Sequence, residues 1–193
     1  RDRPAALALA AIAFHRFWYG VMLVMTLLLY RYLFSADADE GLDRAAVVLA
    51  VSGLGFFLAA VITPPVVRRI GKNTWIIALL ASAAAATALL GAPFANLPWT
   101  VLAFWFGVVS QGVKLSVDVI LQETVADAYR GRVFAVYDML FNAAFVAAAA
   151  LAAVAVPPDG RSPAMLAVIV VAYAAGALAY GVSCARIRRP ARV

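Results

Sequence analysis

A chain of 193 residues that is 66% hydrophobic and 13% charged, with a mean hydropathy of +0.93, excludes a water-soluble globular domain, where roughly 45–50% apolar and about 25% charged residues are usual. The net charge of +6 sits in short basic clusters between apolar runs. That pattern fits the Lys/Arg excess of cytoplasmic loops and argues against a nucleic-acid-binding face. The single cysteine, Cys184, allows neither an intrachain disulfide nor a cysteine metal cluster, and no metal or cofactor is expected.

In chain order, the first apolar run covers about 5–30 and is interrupted by His15-Arg16. It is far longer than a signal-peptide core and reads as a span, since crossing a bilayer takes roughly 20 apolar residues. SADADEGLDR (35–44) reads as a short acidic loop. The second span runs from about 45 to 67, with Pro64-Pro65 expected to kink or terminate it. The turn RRIGKN (68–73) leads to an uncharged third span at about 75–92, and PFANLP (93–98) leads to a fourth at about 99–121. QETVADAYRGR (122–132) reads as a charged hinge before a fifth span at 133–156, and PPDGRSP (157–163) as a turn before a sixth at 164–185. These runs are continuously apolar, not alternating, so the expected fold is an all-α integral membrane bundle of six helices and not a β-barrel. The chain opens on Arg1, not Met, and is expected to be a piece of a longer protein.

Segments 1–4, 67–73, 122–132 and 185–193 carry eleven basic residues, namely Arg1, Arg3, Arg68, Arg69, Lys72, Arg130, Arg132, Arg186, Arg188, Arg189 and Arg192. The alternate segments carry two, Arg44 and Arg161. The positive-inside rule therefore places both termini in the cytoplasm and the chain in the cell membrane, surrounded by lipid. Trp75 and Trp99 each open a span, as interfacial anchors tend to. Spans one and four are long and carry charge within the apolar run; spans three and six are uncharged and rich in small residues. An odd number of helices per unit makes the second copy inverted, so a 3+3 inverted repeat is expected, as in many secondary transporters.

Ionisable residues inside spans are the candidates for function. Gln111, Lys114, Asp118 and Gln122 are spaced by three, four and four residues and share one face of span four, with Lys114 and Asp118 as an i, i+4 pair. Either this stripe lines a water-filled cavity, or Lys114 snorkels to the inner interface and Asp118 merely ends the helix. Asp138 and Asn142 form an i, i+4 pair on span five. Asp138 either pairs structurally with Lys114 or an arginine, or titrates during transport. Arg16 either binds an anionic group, pairs with a carboxylate of span four or five, or lies at the interface. His15 reads as a packed or interfacial histidine, and Ala172 and Gly176 as helix-packing residues. An intramembrane enzyme would need a nucleophile–base set or metal ligands, which one His and one Cys at opposite ends of the chain do not supply.

QETVADAYRGRVFAVYDMLFN (122–142) resembles the loop between the fourth and fifth helices in the C-terminal half of major facilitator superfamily transporters. VVRRIGK (66–72) resembles that family's loop motif, keeping Arg69, Gly71 and Lys72 but departing at Pro64 and Arg68, where the motif has glycine and aspartate. The resemblance implies that residues 1–193 form the C-terminal six-helix bundle, which rocks against an N-terminal six-helix half on the same or a separate chain. It also implies that the first and fourth helices of the half line the cavity and that the third and sixth face lipid. Members of this kind export drugs or metabolites against protons. The resulting expectation is proton-coupled export of a small solute by alternating access. Gln111, Lys114, Asp118, Arg16 and Asn142 would line the cavity, and Asp118, Asp138, Arg130 and Arg132 would form the proton-coupling or gate set. The competing reading is a non-transporting scaffold or subunit of a membrane complex, in which the polar stripe would be sealed by protein.

Overall fold

The computed structural model describes residues 3–188, apart from the side chains of residues 38 and 188. Arg1, Arg189 and Arg192 of the basic census lie outside the described residues. Six helices follow one another: α1 Arg3–Tyr32, α2 Ala38–Ile70, α3 Lys72–Ala86, α4 Asn96–Thr124, α5 Asp127–Ala155 and α6 Pro163–Arg188. A π-helical turn, Thr87–Gly91, extends α3. With that turn counted into α3, all six are long and apolar enough to cross a membrane. α1 has 30 residues, about 45 Å at 1.5 Å per residue, against a hydrocarbon core of roughly 30 Å, so it must tilt or protrude.

The helices begin earlier than the apolar runs, and four of the six end later; at α2 the reason is that polar residues act as caps and not as loops. The acidic stretch 35–44 is mostly the first turns of α2. The Asp37 carboxylate accepts the Glu40 N–H at 2.8 Å, so one donor that a helix start leaves orphaned is satisfied, and the Glu40 carboxylate accepts the Ala36 N–H just ahead of the cap at 2.9 Å. Arg44 then bridges Glu40 at 2.6 Å and donates to the Phe34 carbonyl at 2.6 Å. The expected hinge 122–132 shrinks in the same way to Val125-Ala126, and the Arg130-Gly131-Arg132 element is helical, inside α5. Pro64 and Pro65 do not terminate α2, which continues to Ile70. Each proline costs one helical hydrogen bond, but the helix resumes and stops only at Gly71, whose φ of +83° favours glycine.

α4 is the centre of the bundle. Trp99, Leu102, Phe106, Val109, Val113, Val117 and Leu121 are all buried, at spacings of three and four that form one continuous stripe. Its tightest neighbour is α2. A Cβ on Gly55 would lie 2.1 Å from the Phe104 carbonyl oxygen, and one on Gly107 would lie 2.1 Å from that of Ser52. The two backbones therefore touch, as small residues allow between membrane helices. α1 packs on both α4 and α5, and α3 packs on α6. Gly176 of α6 faces Phe14 of α1, where a Cβ would come within 2.6 Å of the ring; this is the packing role expected of it.

Of the two tryptophans expected as interfacial anchors, Trp99 departs from that role. Trp99 is fully buried and its indole donates to the Gly91 carbonyl at 3.1 Å, at the wide end of the π turn. Trp75 is half-buried and donates to the Thr63 hydroxyl at 3.3 Å. At the same end of the bundle as Trp99, the Tyr30 hydroxyl meets the Asn96 carbonyl at 3.0 Å and the Thr100 hydroxyl at 2.7 Å, fastening α1 to the start of α4. Arg3, Arg68, Arg69, Lys72, Arg130, Arg132 and Arg186 all lie at the opposite end, called the basic end below.

Candidate functional site in the face shared by α1, α4 and α5

The α4 stripe begins with an ion pair. Lys114 Nζ lies 2.8 Å from the Asp118 carboxylate, with Lys114 40% exposed and Asp118 19% exposed. Asp118 is six residues from Thr124, about 9 Å from the basic end of α4, and Lys114 is about 15 Å from it. Asp118 thus stands well inside the helix and does not end it. Its second oxygen, Oδ1, is buried. Gln111 is half-buried and Gln122 exposed on the same stripe.

α5 contributes Tyr137, which sequence reasoning missed. Its ring lies 6.0 Å from Lys114 Nζ, and its side chain is within electrostatic range of Asp118, Asp138 and Arg16. The Tyr137 hydroxyl is buried and interacts with the Asp118 carboxylate. Phe134, Tyr137, Phe141 and Phe145 recur at three, four and four residues, one aromatic edge along α5. That spacing is the signal that would have found them.

Arg16 is half-buried on α1, about 20 Å from Arg3 along the helix. Its guanidinium carbon lies 4.1 Å from the Phe141 ring centre, 4.5 Å from Phe145 and 5.4 Å from Tyr19. It forms no ion pair with any described residue, and its Nε is buried without an acceptor. The expected pairing with a carboxylate of span four or five is therefore replaced by three aromatic rings. His15, beside it, points the other way. It is fully buried against α6, with Nδ1 3.1 Å from the Tyr173 hydroxyl, and is a packed histidine.

Asp138 is exposed and pairs neither with Lys114 nor with an arginine at contact distance. Asp138 and Asn142 are i, i+4 neighbours on α5, as expected, with Asn142 Nδ2 donating to the Asp138 backbone carbonyl at 2.8 Å. Arg130 is spent on the α4–α5 junction: it bridges Asp127 at 2.6 Å and donates to the Gln122 carbonyl at 3.0 Å. Arg132 is exposed. Of the loop residues 69, 71 and 72, Arg69 is exposed and Gly71 breaks the helix, while Lys72 pairs with Glu123 and so ties the α2–α3 turn to the end of α4. Among the described residues, no group of three or more His, Cys, Asp or Glu is placed to hold a metal.

The charged face is separate from the small crevice between α1, α2 and α4. That crevice, about 30 Å³, is lined by Tyr19, Met22, Thr26, Ser52, Leu102 and Phe106 among others. It has room for roughly one water and contains none of the charged residues.

Six apolar helices with charges gathered on one face define a multi-pass membrane protein. Over 159 residues, 82% of this chain, it is 40% identical to a protein of Mycobacterium bovis and to one of Mycobacterium tuberculosis, both named as uncharacterized MFS-type transporters. The chain is thus a homologue of MFS-type transporters and matches their C-terminal half. It spans 35% of the length of these relatives. No family model and no solved structure matches the chain.

Proposed function

We propose that residues 1–193 are the C-terminal six-helix bundle of a secondary transporter of the cell membrane, with both termini cytoplasmic, that exports a small solute by alternating access. The observation that carries this reading is the charged, half-open face of α1, α4 and α5 in a homologue of MFS-type transporters. Lys114, Asp118 and Arg16 lie within membrane-length helices, where charge is expensive and points to a solute or ion path. In this reading the remainder of the cavity comes from an N-terminal six-helix half. Gln111 and Asn142 extend the polar lining above and beside the ion pair.

The 3+3 inverted repeat is part of the same proposal. Exchanging α1, α2 and α3 for α4, α5 and α6 turns the α2–α4 pairing into the α5–α1 pairing and leaves α1–α4 and α3–α6 unchanged. All four are main packing pairs of the bundle.

Asp118 and Asp138 are the proposed proton carriers. Asp118 has one oxygen held by Lys114 and a second that is buried near Tyr137, and Asp138 stands exposed one turn along from Phe134. At the basic end, Arg130 and Arg132 with Lys72 and Glu123 would form the inner gate. The test is the full transporter in inverted vesicles under an imposed pH gradient. Asp118→Asn is expected to lose gradient-driven solute movement by about tenfold or more while downhill exchange persists, and Asp138→Asn to weaken it. Coupled transport unchanged in both variants would remove the proton role. The scaffold reading expects the polar stripe sealed by protein, whereas Lys114 and Gln122 of that stripe are open among the described residues.

A further inference from the structure

The Arg16 environment identifies the kind of solute, given the reading of this face as a solute path. A guanidinium stays charged in any protein setting and presents five N–H donors. None of the donors of Arg16 has an acceptor among the described residues, and Nε is buried. Phe141, Phe145 and Tyr19 surround the cation at 4.1, 4.5 and 5.4 Å. Rings attract it electrostatically but offer no lone pair to its planar fork, so the fork remains unsatisfied. The nearby opposite charge is already committed, since Asp118 is bonded to Lys114. Asp138 is exposed and forms no ion pair with Arg16.

A cation held inside a membrane-length helix by aromatic rings, with its donor fork unspent, is complementary to a carboxylate carrying an apolar body. The carboxylate matches the fork with two parallel N–H···O bonds. The body matches the apolar rings of Phe141, Phe145 and Tyr19. We propose that Arg16, Phe141, Phe145 and Tyr19 form a recognition subsite for the carboxylate end of an organic monocarboxylate with an aromatic or long aliphatic body.

The test uses the purified full-length transporter in lipid nanodiscs. Binding of 2-naphthoate and of decanoate is measured by ligand-induced thermal stabilisation and by calorimetry, each against its own neutral carboxamide. At least one carboxylate is expected to bind at least tenfold more tightly than its carboxamide. That preference is expected to vanish in Arg16→Gln and to fall several-fold in Arg16→Lys, which keeps the charge but loses the fork. Phe141→Leu with Phe145→Leu, which leaves Arg16 in place, is expected to weaken carboxylate binding as well and covers the case in which Arg16→Gln fails to fold. Absence of carboxylate binding, equal binding of acid and amide, or an acid preference that survives Arg16→Gln would overturn the proposal. An Arg16→Gln protein that is destabilised without ligand and keeps the acid preference would also overturn it, and would mark Arg16 as the partner of a carboxylate elsewhere in the protein. Carboxylate binding that depends on Arg16 in a protein that moves no solute would leave the subsite standing and remove the transport reading. Transport of uncharged or cationic solutes without carboxylate binding would do the reverse.

Discussion

Gly107→Leu is expected to prevent the bundle from assembling. The Gly107 Cβ position lies 2.1 Å from the Ser52 carbonyl oxygen, and the Gly55 position lies 2.1 Å from the Phe104 oxygen. Both obstacles are backbone, so no rotamer change relieves them. Even Gly→Ala at either site forces α2 and α4 apart along the most extensive packing of the bundle. Overpacking of this kind costs about 1–3 kcal/mol or more, whereas replacing a helical glycine by alanine returns only about 0.5–1 kcal/mol of backbone entropy. The clash therefore wins, and Gly55→Ala and Gly107→Ala should each be destabilising. Gly53 supplies the control: it lies in the same helix with nothing within 4 Å of its Cβ position, so Gly53→Ala should be neutral or slightly stabilising. Thermal unfolding of the full-length protein in detergent separates the three. Equal melting temperatures for Gly53→Ala and Gly107→Ala would mean that the α2–α4 backbones do not touch.

The second large effect is functional. Lys114→Ala leaves Asp118, 19% exposed, without its cationic partner. Since Lys114 is 40% exposed, the pair contributes little to stability, on the order of 1 kcal/mol or less. Its effect on transport should be larger: a loss on the order of tenfold, equivalent to about 1.4 kcal/mol of binding. The double variant Lys114→Gln with Asp118→Asn separates a rivet from a working site. It keeps both shapes and removes both charges, so a purely structural pair would be replaced almost without cost and transport would return. The expected result is normal insertion and melting with transport no better than in the single variants. Recovery of transport in the double variant would assign the pair to packing alone.

The six spans were legible because each is a continuous apolar run longer than a soluble helix would present. Their ends were not, because capping residues and loop residues have the same composition. Asp37 and Glu40 read as an acidic loop until their side chains are seen to close the first turn of α2. Arg130 read as part of a hinge until it is seen holding Asp127 and the Gln122 carbonyl. The Lys114–Asp118 pair was legible because i, i+4 spacing places two side chains together within a single helix. The surroundings of Arg16 depend on which faces of α1 and α5 meet, a tertiary fact that no local spacing contains. Phe141 and Phe145 lie in an apolar run where a ring against lipid and a ring against a cation look alike, and only their common stripe with Tyr137 distinguishes them. Trp99 misled for the same reason, since its place at the start of a span suits an interface while its packing against Gly91 and Phe94 puts it in the core.

The central claim is that the face bearing Gln111, Lys114 and Arg16 borders water and not lipid. It is tested by single cysteines at positions 111 and 114, and at Leu178, an exposed residue of α6, in the full transporter with Cys184 replaced by serine and any other thiols removed. Labelling is done in membranes with a charged, membrane-impermeant maleimide. Cysteines at 111 and 114 are expected to react, and the cysteine at 178 to remain unmodified. Reaction at 178 with none at 111 or 114 would contradict the account.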